Sequence, residues 1–318
     1  MNVDRIKNLF INPELQYLRA GWRLGIFIVI LSACTTGLGV PIGLLLKQIP
    51  AIDVLIVKTF IIYLQLTLAT WLMLRFVDKR PFESVGFAFK ANWGKELLQG
   101  CGLGAGMISV VFIVEYSAGM VHIEFYDLTL QQILPVFFNS LFLYVVVGYG
   151  EELLFRGYIL QVAAEGMNRT IAALLFAVFF AFAHFNNPNV SLFGLINVGL
   201  AGIWLALAYY KTNALWFPIG LHFSWNFFQG FVYSFPVSGT TSTKEQIGKT
   251  IVSGPEWITG GAFGPEGGAL ASILLIGASV WIYKSDWFKS ADGVWRYERW
   301  REERKQQLIL QQSEQLQP

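Results

Sequence analysis

The chain is 318 residues long, 54% hydrophobic and only 14% charged, with a formal net charge of +2. Soluble domains average about 25% charged residues, so this composition excludes an ordinary globular enzyme, and the near-neutral balance excludes an electrostatic nucleic-acid binder. Cys34 and Cys101 both lie inside apolar runs and offer neither a disulfide framework nor a paired-cysteine metal site.

Taken in chain order, residues 1–21 read as a cytoplasmic, interfacial segment. Arg19 and Arg23 then precede an apolar run that passes "LSAC" at Cys34 and continues through "TTGLGVPIGLLL", as an uncleaved spanning helix does rather than a removed leader. Further apolar runs lie near 54–77, 97–119, 133–160, 170–185, 190–210, 214–235 and 268–284, after the first at 22–46. A spanning helix needs about 18 or more such residues, so the expected fold is all-α: a polytopic integral membrane bundle of about eight transmembrane helices over 22–284. Arg5, Lys7, Arg19, Arg23, Arg75, Lys79, Arg80, Lys90, Lys95, Arg169, Lys211 and the basic tail fall on one side, against Lys47, Lys244 and Lys249 on the other. The positive-inside rule then makes both termini cytoplasmic, in the plasma (inner) membrane for a bacterial host. A Gly-rich segment, 236–267, ends in "GGAFGPEGG" and reads as a flexible outer loop, with a re-entrant lip carrying Glu266 as the alternative. The tail, 285–318, mixes Trp287, Phe288, Trp295, Tyr297 and Trp300 with Lys289, Arg296 and Arg299, as interfacial helices do.

Inside the run from Ile133 to Ala164 the only charges are Glu151, Glu152 and Arg156, in "GYGEELLFRG". Each costs roughly 2.5–3.5 kcal/mol at mid-membrane depth, so such residues are paired or functional. Glu152 and Arg156 stand four apart in the favourable order for a helical ion pair, which leaves Glu151, rotated by about 100°, available as a base.

His184 and His222 also sit in uncharged surroundings, whereas His122, in "HIEFYD", lies outside the spans. A tight turn at Gly166–Asn168 places Glu151 and His184 at equal heights, about 25 Å up two antiparallel helices. His222 counts to about 15 Å from its own turn near Thr212, a mismatch that needs tilted helices or a wet dip at Asn186–Asn189. Asn226 shares a helix face with His222. These four residues suit either of two chemistries. A carboxylate and imidazole can activate water while a second imidazole and an amide stabilise an oxyanion, or Glu151, His184 and His222 can hold zinc. Spacing leaves both open.

"EELLFR" (Glu151–Arg156), "FAFAH" (Phe180–His184) and "HFSWN" (His222–Asn226) together resemble the ordered motifs EExxxR, FxxxH and HxxxN of the CPBP family of intramembrane proteases, also called the Abi or CAAX protease family. Type II CAAX prenyl endopeptidases and bacteriocin-related bacterial proteins belong to that family. The resemblance implies a catalytic core over about 131–235 that opens towards the cytoplasm. It implies that Glu151 activates water, His184 positions it, His222 and Asn226 stabilise the oxyanion, and Glu152 with Arg156 supports the site. The family has been described both as zinc metalloproteases and as metal-free, so a divalent metal and no cofactor both remain open. No HExxH or GxSG is present to suggest another intramembrane protease class.

The expected function is therefore an intramembrane endopeptidase acting on a membrane-associated peptide or protein, through CAAX-type or leader-peptide processing. Its partners are that substrate and the lipid bilayer, with no nucleic acid. The alternatives are a non-catalytic peptide binder conferring bacteriocin self-immunity and a proton-coupled transporter; the second lacks the internal repeat that many transporters show.

Overall fold

The computed structural model describes residues 3–46, 54–89, 92–241, 246–290 and 296–315. Lys47, Lys90 and Lys244 of the charge asymmetry, and Trp295 of the tail, lie outside these residues. Helix α1 (Val3–Phe10) leads into a two-residue pairing of β1 (Ile11–Asn12) with β2 (Tyr17–Leu18), followed by α2 (Ala20–Cys34). A π-turn, Thr35–Gly39, carries α2 into α3 (Val40–Leu46). Helix α4 (Val54–Leu72) ends in another π-turn, Met73–Asp78, stopped by Lys79 in the left-handed conformation. Helix α5 (Trp93–Ser117) precedes β3 (Val121–Phe125).

The charged motif sits where α6 (Leu130–Glu152) gives way to a π-turn, Leu153–Tyr158, and then to α7 (Ile159–Gly166). The reversal that follows is locally encoded: the Asn168 side chain accepts the Ile171 N–H at 2.8 Å and starts α8 (Arg169–Ala183). Ser191 does the same for Gly194 at 3.0 Å and starts α9 (Leu192–Thr212). Asn213, left-handed at φ 52°, closes α9 and turns the chain into α10 (Trp216–Phe227), which runs on through the π-turn Phe228–Val232. The short α11 (Glu256–Thr259), α12 (Ala269–Lys284) and the tail helix α13 (Tyr297–Gln315) complete the chain.

Among the described residues five helices are long and apolar enough to cross a membrane: Ala20–Leu46, Ile56–Asp78, Trp93–Ser117, Leu130–Gly166 and Leu192–Thr212. The other three expected spans are also helical but shorter: α8 has 15 residues, α12 has 16, and α10 has 12 plus its 5-residue π-turn. The protein is thus a multi-pass helical membrane protein, with five spanning candidates among the described residues.

Glycine sets the position of α10. A Cβ at Gly100 would lie 2.3 Å from the Phe217 carbonyl oxygen, one at Gly104 2.4 Å from that of Leu221, and one at Gly220 2.4 Å from that of Leu97. Small residues let helix backbones meet this closely in lipid. On its other side α10 meets α6, where Gly148 lies against the Phe223 backbone. His222 is thereby wedged between two glycine-lined contacts.

Where α2, the end of α4 and the end of α7 converge, the buried Arg23 binds Asp78 through two bonds of 2.9 and 2.7 Å and also reaches Glu165. Arg80 joins Asp78 at 3.1 Å. Two cations and two acids balance there, which is what makes the burial of all four tolerable. The terminal segments also meet: Arg301 and Lys305 each lie 3.2 Å from Glu14, and Trp300 packs on Tyr17.

The Gly-rich segment is not an open loop over its described part. Strand β4 (Gly248–Val252) pairs antiparallel with β3, and α11 and two 3-10 turns, Gly261–Phe263 and Pro265–Gly267, fold back on the bundle. His122, on β3, is exposed and lies 3.7 Å from Glu124.

Candidate active site

Glu151, His184, His222 and Asn226 line one cavity of about 300 Å3 inside the bundle. They come from the end of α6, the end of α8 and the middle of α10, so three helices each deliver one motif. His222 reaches the depth of Glu151 because its turn is recessed. The Leu215 N–H donates to the Gly86 carbonyl at 2.9 Å beneath the 3-10 turn Phe82–Val85. Gln161, five residues before the Gly166 end of α7, donates to Ser84 of that same turn at 2.8 Å. Five residues of helix are about 7.5 Å, most of the difference between the two counted depths.

The two adjacent glutamates have separate surroundings. Glu152 is fully buried; its Oε1 accepts from Arg156 Nη1 at 2.8 Å and from His222 Nδ1 at 2.8 Å. Arg156 also donates to the Gly202 carbonyl at 3.2 Å and lies 4.4 Å above the Phe180 ring. The expected Glu152–Arg156 pair is therefore present, although the backbone between them is a π-turn, which breaks from helical geometry just beyond Arg156, at Gly157 (ψ −110°). Glu151 is half-buried and, among the described residues, has no cation within hydrogen-bonding distance; His222 Nε2 lies 3.8 Å from its Oε2.

Hydrogen bonding assigns the histidine protons. His184 Nδ1 lies 2.8 Å from the Phe180 carbonyl, which can only accept, so Nδ1 carries the proton and Nε2 presents a lone pair. His222 Nδ1 faces the Glu152 carboxylate, so it too donates. His222 Nε2 then carries a proton only in the imidazolium form, whose charge lies between Glu152 and Glu151.

His184 Nδ1 is occupied by a carbonyl and His222 Nδ1 by Glu152. Among the described residues no group of three or more His, Cys, Asp or Glu side chains is arranged to hold a metal ion.

Sequence reading missed part of the site. Tyr63 of α4 lies with its hydroxyl 3.5 Å from Glu151 Oε1, and its ring covers Gly150 so closely that a Cβ there would fall 2.0 Å from the ring. Gly150, directly before the glutamates, was the available signal. The Gly-rich segment also supplies Ser238 and Glu266 to the cavity wall. Glu266 accepts from the Ser238 hydroxyl at 2.9 Å, from the Ser238 N–H and from Gln229 Nε2. Asn197 ties the Glu266 and Gly268 carbonyls at 2.8 Å each. Burial pushes the Glu266 carboxyl up to about 7, against the lowering effect of its donors. Asn187, in the turn expected to dip, also lines the cavity and donates to the Ser238 carbonyl at 2.9 Å.

A bundle of apolar helices enclosing a carboxylate, two imidazoles and an amide defines a class: a multi-pass membrane protein with an internal polar chamber suited to hydrolysis. Residues 132–228 match the family model described as type II CAAX prenyl endopeptidase Rce1-like. No curated protein and no solved structure matches the chain.

Proposed function

We propose that the protein is a glutamate-dependent intramembrane endopeptidase of CAAX type, hydrolysing a peptide bond in a peptide or protein that reaches the membrane. The observation that carries this reading is the division of labour in the cavity. Glu152 takes both Arg156 and His222 on one oxygen, while Glu151 faces the same space with no cationic partner at hydrogen-bonding distance among the described residues.

Water held by the His184 Nε2 lone pair gives a proton to Glu151 as its oxygen adds to the scissile carbonyl carbon. The oxyanion accepts hydrogen bonds from Asn226 Nδ2 and from the His222 imidazolium through Nε2. Glu151 then passes its proton to the leaving nitrogen as the C–N bond breaks. Arg156 pairs with Glu152, and Glu152 holds His222 in orientation. No step runs through a metal, so activity is expected to persist after dialysis against chelator. Activity abolished by chelator and restored by zinc refutes the metal-free route.

Both termini lie on the cytoplasmic side in this reading, supported by the basic residues gathered there and by the packing of α13 against Glu14. The experiment is a comparison of peptide termini in membrane and secreted fractions from cells carrying wild type or Glu151→Gln at matched levels. Termini that vanish in the variant identify substrates. An unchanged terminus profile defeats the proteolytic reading and favours a non-catalytic peptide binder.

A further inference from the structure

We infer that Tyr63 is a positioning residue for the reaction: its hydroxyl donates to Glu151 Oε1 and turns the other carboxylate oxygen, Oε2, towards water and His222. The inference rests on Glu151 being the base, as proposed above. Tyr63 lies on α4, outside the matched segment 132–228.

Three observations support it. The Tyr63 hydroxyl is in hydrogen-bonding range of Glu151 Oε1, at 3.5 Å, and Oε2 has no hydrogen-bond partner among the described residues. A side chain on a rotatable four-atom stem needs one oxygen fixed before the other can be aimed, and a tyrosine hydroxyl does this as a neutral donor without pairing the charge away. The ring is also held. It packs over Gly150, where any larger residue would strike it, and Thr67, one turn along α4, accepts no freedom of its own: its hydroxyl lies 2.7 Å from the Tyr63 carbonyl and 2.8 Å from the Tyr149 hydroxyl. The seam Tyr63–Thr67–Tyr149 thus locks α4 to α6 on the residues that immediately precede Glu151. Finally, Thr59, one turn earlier on the same face of α4, lines the cavity itself, so α4 is a wall of the chamber.

The test has two arms. With a peptide identified by the terminus mapping, Tyr63→Phe keeps the ring over Gly150 and removes only the hydroxyl. It is expected to lower kcat on the order of tenfold, with KM and thermal unfolding unchanged. Unchanged kcat, or a fall in kcat matched by an equal loss of thermal stability, overturns the assignment. Independently of turnover, 3-fluorotyrosine placed at position 63 of the detergent-solubilised protein should show a 19F resonance that moves in Glu151→Gln and stays in place in Glu83→Gln, an exposed acid elsewhere. A resonance indifferent to Glu151→Gln overturns the contact. A wild-type protein that cleaves nothing defeats the protease reading instead, and the fluorine measurement still decides the contact.

Discussion

Replacing Gly104 by alanine tests how α10 is placed. Alanine is the better helix former by roughly 1 kcal/mol, so on propensity alone Gly104→Ala stabilises α5. The new Cβ, however, would lie 2.4 Å from the Leu221 carbonyl oxygen and 2.4 Å from Ser224 Oγ. The serine hydroxyl can rotate away, but the carbonyl belongs to helical backbone and cannot. An ordinary contact of about 3.4 Å therefore requires α10 to retreat by about 1 Å, at the residue next to His222. A shift of that size takes His222 Nδ1 out of its 2.8 Å bond with Glu152, and displacements near 1 Å at a catalytic group cost about a hundredfold in rate. Overpacking of this kind costs typically 1–3 kcal/mol, which outweighs the propensity gain. Gly102 and Gly106, on the same helix, have nothing within 4 Å of a Cβ, so Gly102→Ala and Gly106→Ala should be neutral or stabilising by up to about 1 kcal/mol. The assay is thermal unfolding of the purified variants in one detergent, followed by turnover of a mapped peptide. Gly104→Ala behaving like its two neighbours, in stability and in rate, refutes the packing argument.

Arg156→Ala leaves Glu152 buried with only His222 beside it and is expected to cost about 3–5 kcal/mol; Arg156→Ala with Glu152→Gln should recover part of this, read as unfolding temperature and membrane abundance. Equal abundance of wild type and Arg156→Ala sinks the ion-pair assignment. Glu266 gives a pH dependence. Its folded-state pKa, about 7, stands above its ordinary 4.5, so its burial stabilises the packed segment fully below 4.5 and the contribution fades as pH rises through 7. The interval corresponds to about 3 kcal/mol. Backbone hydrogen exchange over residues 246–267, corrected for intrinsic rates, should show protection falling between pH 5.5 and 8 in the wild type and flat in Glu266→Gln. A flat wild-type profile contradicts the assignment. Glu151→Gln should abolish turnover while leaving the unfolding free energy within about 1 kcal/mol of wild type, since the side chain is not fully buried and its contact with His222 is long, at 3.8 Å.

The parts of this site that were legible in the sequence are those written locally. Spacing within one helix paired Glu152 with Arg156, and a cap at Asn168 folded His184 back to the height of Glu151. What could not be read depends on partners far along the chain. Tyr63 meets Glu151 across 88 positions, and an apolar helix carries no mark of which tyrosine faces a carboxylate. The depth of His222 was misjudged because counting assumed that both turns lie at one level, whereas the turn at Asn213–Leu215 is buried beneath Gly86. The Gly-rich composition of 236–267 suggested freedom. Several of its glycines are instead required by contact: a Cβ at Gly239 would fall 1.8 Å from the Pro188 carbonyl oxygen, and φ there is +78°.

The wide turn after Glu152 acts as a length gauge. A π-turn holds one residue more than the α-turn it replaces, so it takes up the extra residue and leaves the helix beyond it on the register of a shorter, regular helix. The same sequence wound as a regular α-helix would instead turn everything downstream by about 100° relative to the glutamates. Gln161 would then swing away from Ser84 and from the Tyr209 hydroxyl it also reaches. The wide turn thus lets the acid pair and the anchor at Gln161 each keep its own partners along one run of chain.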